Sequence, residues 1–172
     1  MDIFCEYMVK HKKSAKDSVL NVLCVILAVI LSMAIMMFFL RFAAIAVLVV
    51  AGIWYGVAYI IRSNDIEYEY ILTNSILDID KIMAKKMRKR VMSINFKEIA
   101  CCEPANGRLA PADSSVKMYD FTGDIAGKSV YYVDFNKDGS RVRVYFQPNA
   151  KILKNLKSEN PGAVTIKEED IL

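Results

Sequence analysis

Histidine is nearly missing from this chain: His11 is the only one. It precedes the first long apolar run, so a Ser-His-Asp or Cys-His site in the C-terminal part is excluded, and zinc lacks ligands there. Glycine is sparse as well. The seven glycines are scattered and form no phosphate-cradling loop. The four cysteines, Cys5, Cys24, Cys101 and Cys102, do not resemble a disulfide framework. One lies in an apolar run and two are adjacent, which suits a reducing compartment. Cys101-Cys102 also lacks the C-x-x-C spacing of a redox pair and reads as structural or incidental. The net charge of +4 is modest and is not organised along a groove or helix, so nucleic acid is not an expected partner.

Charge is absent from one region in particular. Between Val19 and Ile61 the only charged residue is Arg41. A bilayer core takes about 20 apolar residues per helix. A single helix over the whole run would reach roughly 65 Å, about twice the hydrocarbon thickness. The chain must therefore turn back near Arg41, giving a transmembrane hairpin over 18–61, with helices over 18–39 and 42–61. The tip has no Gly, Pro, Asn or Asp, so a tight connection rimmed by Phe38, Phe39 and Phe42 is expected. A re-entrant segment is the alternative.

Lysines and arginines give the orientation. Lys10, Lys12, Lys13 and Lys16 precede the first helix, and Arg62 and the run Lys85, Lys86, Arg88, Lys89, Arg90 follow the second. Such residues favour the cytoplasmic side. The expectation is a multi-pass cell-membrane protein with a cytoplasmic N-terminal segment, 1–17, and a cytoplasmic C-terminal domain, 64–172. A cleaved signal peptide fits poorly, because the polar start is long and no small-x-small site follows. Small residues suggest how helices meet: Cys24, Ala28 and Ser32 fall at i, i+4 and i+8, and Gly52 and Gly56 form a G-x-x-x-G pair. A fold-back near Leu40 puts Cys24 level with Gly56 and Ala28 level with Gly52. The two faces then form a seam inside one hairpin or between two copies.

Beyond the helices, period-two alternation predicts strands over 66–72, 76–83, 90–96, 116–122, 129–136 and 141–147. Tyr131, Val133 and Phe135 share one face, and Val142, Val144 and Phe146 are inward with Tyr145 outward. A helical turn is expected over 96–100 and a long loop over 101–115. Asn136-Lys137-Asp138-Gly139 signals a hairpin with Gly139 at a positive φ. An amphipathic helix is expected over 149–158, carrying Ile152, Leu153 and Leu156.

About six or seven antiparallel strands and a C-terminal helix describe a small mainly-β barrel or sandwich of the pleckstrin-homology (PH)-like kind. Ile66-Glu-Tyr-Glu-Tyr-Ile-Leu-Thr-Asn, Leu77-Asp-Ile-Asp-Lys and Lys85-Lys-Met-Arg-Lys-Arg resemble bacterial two-helix membrane proteins that carry a cytoplasmic bacterial PH-like domain. The resemblance implies a PH-like fold at the membrane and no known reaction, and it carries over no functional residue.

Candidate chemistry is thin. Asp134-x-Asn136-x-Asp138-Gly139 looks like half a calcium loop, but Tyr145 stands where a bidentate Glu is needed. Asp65, Glu67, Glu69, Asp78 and Asp80 read as a solvated outer face, salt-bridged to Arg88 or Arg90 across strands. No catalytic residue, metal or cofactor is expected. The expected role is a membrane-anchored, non-catalytic interaction or scaffold module, with the bilayer and a protein partner or second copy as partners. The alternative is an anionic-lipid sensor whose headgroup contact is the basic loop Lys85, Lys86, Arg88, Lys89 and Arg90, since polybasic segments gain roughly 1 kcal/mol per residue at an anionic surface.

Overall fold

The computed structural model describes residues 3–13, 15–39, 42–105 and 115–171. Arg41 and most of the expected 101–115 loop lie outside the described residues. The chain forms two compact units: Lys13–Asp65, and Met1–Lys12 together with Ile66–Leu172.

The first unit is a helical hairpin, α1 (Ala15–Phe38) and α2 (Ala43–Ser63). Both helices are long and apolar enough to cross a membrane. Large side chains point outward all round, as on Leu27, Phe38, Leu48 and Tyr55. Only Ala28 and Ala46 are buried within the helices. At the open end, Asn64 Nδ2 donates to Asn21 Oδ1 at 3.0 Å. Counting seven residues inward from that pair on each helix brings Ala28 level with Val57, not with Gly52.

The second unit holds eight strands and a helix: β1 (Phe4–Lys10), β2 (Ile66–Thr73), β3 (Ile76–Met83), β4 (Met87–Asn95), β5 (Ile99–Pro104), β6 (Lys117–Asp120), β7 (Tyr131–Lys137), β8 (Ser140–Phe146) and α3 (Ala150–Glu159). One sheet runs β1-β2-β3-β4, and the other β5-β7-β8-β6. Between their inner faces lie Tyr70, Leu72, Leu77, Ile79, Ile94, Phe96, Val133, Val144 and Phe146. α3 closes this core with Ile152, Leu153 and Leu156, all inaccessible. Its start is fixed by Asn149, whose Oδ1 accepts the Ile152 N–H at 2.9 Å.

Four features differ from the sequence reading. The N-terminal segment supplies β1, which pairs antiparallel with β2 from Phe4↔Thr73 to Lys10↔Glu67. The region from Phe96 to Glu98 is a turn and not a helix, and the chain resumes as β5 through Cys101 and Cys102. The last sheet is not wholly antiparallel, because β6 runs parallel to β8. Tyr145 sits on the face opposite Val144, as alternation requires, yet it is fully buried in a satellite cluster with Ala105 and Val130.

The Asp138-Gly139 link is tighter than expected: a two-residue turn with φ of 50° and 74°. That is the type I′ geometry a twisted hairpin favours.

Candidate functional site: the basic turn and the charged sheet face

The basic run is largely strand, not loop. Met83 and Met87 are joined by the three-residue connection Ala84-Lys85-Lys86, in which Ala84 and Lys85 take φ values of 52° and 56°. The Lys86 N–H donates to the Met83 carbonyl at 3.1 Å. Positive φ at two residues with side chains is a costly way to make a type I′ turn. It leaves the exposed Lys85 and Lys86 at the tip. Lys89 and Arg90 belong to β4, where a register shift between Ile79 and Asp80 re-aims the strand.

The two arginines do not share the lysines' surroundings. Arg88 lies 2.7 Å from the carboxylate of Glu69. Arg90 reaches Asp78 at 2.7 Å and Asp80 at 3.0 Å. Glu69 and Asp80 face one another across β2 and β3, and the arginines cover both until they are almost inaccessible. The hydrogen bond it donates to Asp80 raises the Arg90 guanidinium above its ordinary value. Arg88 and Arg90 thus cap Glu69, Asp78 and Asp80 across the strands, while Asp78 Oδ1 is buried without a hydrogen-bond partner among the described residues and Glu67 lines the neighbouring groove. Next to this lattice, Met8, Glu67, Ile82, Lys85, Lys86 and Arg88 line an open groove of about 570 Å³. Its lining combines two apolar side chains with three cations and one carboxylate.

The remaining candidates stand apart. Asp134 accepts two hydrogen bonds from Arg143, at 2.7 and 2.6 Å, and the guanidinium stacks 4.3 Å over the Tyr132 ring. Asp138 belongs to the tight turn. Those roles account for the calcium-like spacing. Cys101 and Cys102 alternate across β5, and burial raises both thiols. Among the described residues no group of three or more His, Cys, Asp or Glu side chains is arranged to hold a metal.

Cys24 is half-buried, Ser32 donates its hydroxyl to the Ala28 carbonyl at 2.7 Å, and Ala28 is buried. A Cβ added at Gly52 or Gly56 meets nothing within 4 Å. Those two glycines therefore do not form the close approach inside the hairpin.

A second, polar cleft of about 440 Å³ lies between the segment before β7 and the C-terminal turn. Here Asp170 accepts from Ser129 Oγ and, at 2.6 Å, from the Tyr131 hydroxyl. The Tyr131 hydroxyl in turn accepts the Lys167 N–H at 3.2 Å. Burial, then Asp170, raises the Tyr131 phenol. This clasp fastens the acidic tail, whose Val164 bridges to Cys102 beside β5. The sequence signal for it was weak, because the partners lie about 40 residues apart, 41 and 39 for the two Asp170 bonds.

A family model described as Bacterial PH-like domain (DUF6106) matches residues 1–166. No curated protein and no solved structure matches the chain.

Proposed function

This chain belongs to the Bacterial PH-like domain (DUF6106) family, and from that premise we propose that it is a membrane-anchored, non-catalytic interaction module. One observation carries the reading: β1 precedes the hairpin, β2 follows it, and the two strands pair along their whole length. The apolar hairpin is thus an insertion between neighbouring strands of one sheet. A domain built this way is held at the bilayer by two chain connections, which suits a part that must stay at the surface.

The same pairing requires both ends of the hairpin to emerge on one side. The lysines before α1 and the arginines and lysines after α2 favour the cytoplasm for that side. For a partner, the short edge strand β6 is the best-suited surface. All four of its residues are exposed, and Met118 and Tyr119 present large apolar groups at 44% and 41% exposure. A protein partner or second copy adding to this edge would use strand addition.

The test is a photo-crosslinkable residue at Tyr119 in the full chain in native membranes, with Ile76 as the comparison position. A discrete adduct at Tyr119 alone supports the module. Identical patterns at the two positions would remove β6 as the interaction edge. Thiol accessibility of a cysteine placed at Asp138 in sealed vesicles checks the cytoplasmic orientation.

A further inference from the structure

The sheet register ties the basic turn to the chain's exit from α2. Ile66, the first residue of β2, faces Met83, the last of β3, and Met83 faces Met87 across the turn. Only Asn64 and Asp65 separate Ile66 from Ser63, the last residue of α2. The basic turn is therefore at the end of the sheet where the chain enters the domain from α2.

Four lysines gather at this end of the sheet. Lys85 and Lys86 form the exposed turn, and Lys81 and Lys89 are direct cross-strand partners. Like charges placed opposite one another repel. Among the described residues, none of the four lies within ion-pair distance of a carboxylate, in contrast to Arg88 and Arg90. Met87, 61% exposed, sits among them as an apolar tip. A like-charged pair without internal counter-charge, beside two exposed cations and one exposed apolar side chain, fits a surface that supplies both negative charge and an apolar layer.

We propose that this sheet end docks on the anionic phospholipid headgroups of the bilayer that holds the hairpin. Lys81, Lys85, Lys86 and Lys89 face the phosphates, and Met87 seats between headgroups. Arg88 and Arg90 stay committed to the domain's own carboxylates and are not part of the contact. The proposal rests on the reading of α1 and α2 as membrane spans.

The test uses the full chain reconstituted in vesicles, in a Cys24→Ala, Cys101→Ala background, with an environment-sensitive fluorophore on Met87→Cys. A second sample carries the label on Ile76→Cys, at the opposite end of β3. Headgroup-nitroxide lipids are expected to quench the Met87 label in phosphatidylglycerol-rich vesicles but not in phosphatidylcholine vesicles, and high salt abolishes the effect. Each Lys→Gln change is expected to lower the ratio of docked to undocked domain about fivefold, and Arg88→Gln to leave it unchanged. Equal quenching of the Met87 and Ile76 labels, or of the Met87 label in both lipids, overturns the docking. Alkaline carbonate washing of the same vesicles separates the two failures. Release of the chain removes the spanning helices and the proposal with them, whereas a retained chain with an unquenched Met87 label removes the docking alone.

Discussion

The backbone N–H of His11 donates to the carbonyl oxygen of Ile66 at 2.9 Å, although the whole helical hairpin lies between them in sequence. This bond extends the β1–β2 ladder up to the point where the chain leaves the sheet for α1. The domain is therefore complete only when residues on both sides of the hairpin come together.

Excision of the hairpin follows as a prediction. Joining Lys12 to Ile66 through about four Gly and Ser residues replaces it with an ordinary hairpin loop. The product is expected to be soluble and to unfold cooperatively in urea, as followed by circular dichroism. A fragment beginning at Asn64, with no β1, is expected to aggregate or unfold at much lower urea. It lacks the buried Cys5 and the Tyr7 and Val9 side chains that pack on the core, and β2 becomes a bare edge. Equal stability of the two proteins would contradict the role given to β1.

The strand that makes this prediction possible carried a readable signal. Cys5, Tyr7 and Val9 alternate with Phe4, Glu6, Met8 and Lys10, the period of a half-buried strand. Its partner lies beyond an apolar run, so local reading takes it for a tail. β2, β3, β4, β7 and β8 were legible because each has a partner adjacent in sequence, whereas β5, whose partner β7 lies about 30 residues further on, read as a loop. β6 was legible as a strand, but its parallel pairing with β8 depends on contacts no local pattern encodes. The turn at Ala84-Lys85 has neither glycine nor asparagine to announce a positive φ, so the basic run looked like a loop. The cross-strand pairing of Arg88 and Arg90 with carboxylates was readable from the alternation, and the register adds that Lys81 and Lys89 stand opposite one another instead.

Glycine positions separate close packing from open space. A Cβ at Gly123 would stand 2.4 Å from Val9 Cγ1 and 2.9 Å from the Lys10 carbonyl oxygen. The backbone contact cannot swing aside, so Gly123→Ala is expected to destabilise the excised domain by about 1–3 kcal/mol in urea titrations. In the hairpin, Gly52→Ala and Gly56→Ala meet no neighbour. They are expected to leave disulfide formation between Asn21→Cys and Asn64→Cys unchanged in a Cys24→Ala background, whereas Ala28→Leu reduces it. A loss with the glycine variants would place those residues in the seam after all.

The charged sheet face predicts different outcomes for neighbouring cations. Arg90→Ala leaves Asp78 and the nearly inaccessible Asp80 without their guanidinium partner. It is expected to lower the urea midpoint of the excised domain. Lys85→Ala and Lys86→Ala remove exposed, unpaired charges and are expected to leave that midpoint unchanged. A uniform effect across all the basic positions would mean that the arginine lattice does not support the fold.

Alkaline pH probes the core from another side. The Tyr70 hydroxyl donates to the Phe121 carbonyl at 2.7 Å and accepts the Gln147 N–H at 3.1 Å, joining the two sheets. Burial raises its phenol well above the ordinary value of 10.0. The folded state then holds this proton at a pH where the unfolded chain has released it. Its contribution is fully present below the ordinary value and is lost as pH rises above it. Urea titrations of the excised domain are expected to show stability falling above pH 10.0, with the Tyr70 share of the tyrosinate absorbance, read as the difference between the parent and Tyr70→Phe, appearing only as the fold is lost. Tyr70→Phe is expected to cost about 1–3 kcal/mol at neutral pH, because two buried backbone groups lose their partner. Its stability then declines less steeply in alkali. The decline does not vanish, since Tyr131 and Tyr132 are also raised, by burial first and then by Asp170 and Glu103. If Tyr70→Phe and the parent declined in parallel, Tyr70 would titrate like an exposed phenol and the junction it makes between the sheets would not persist in solution.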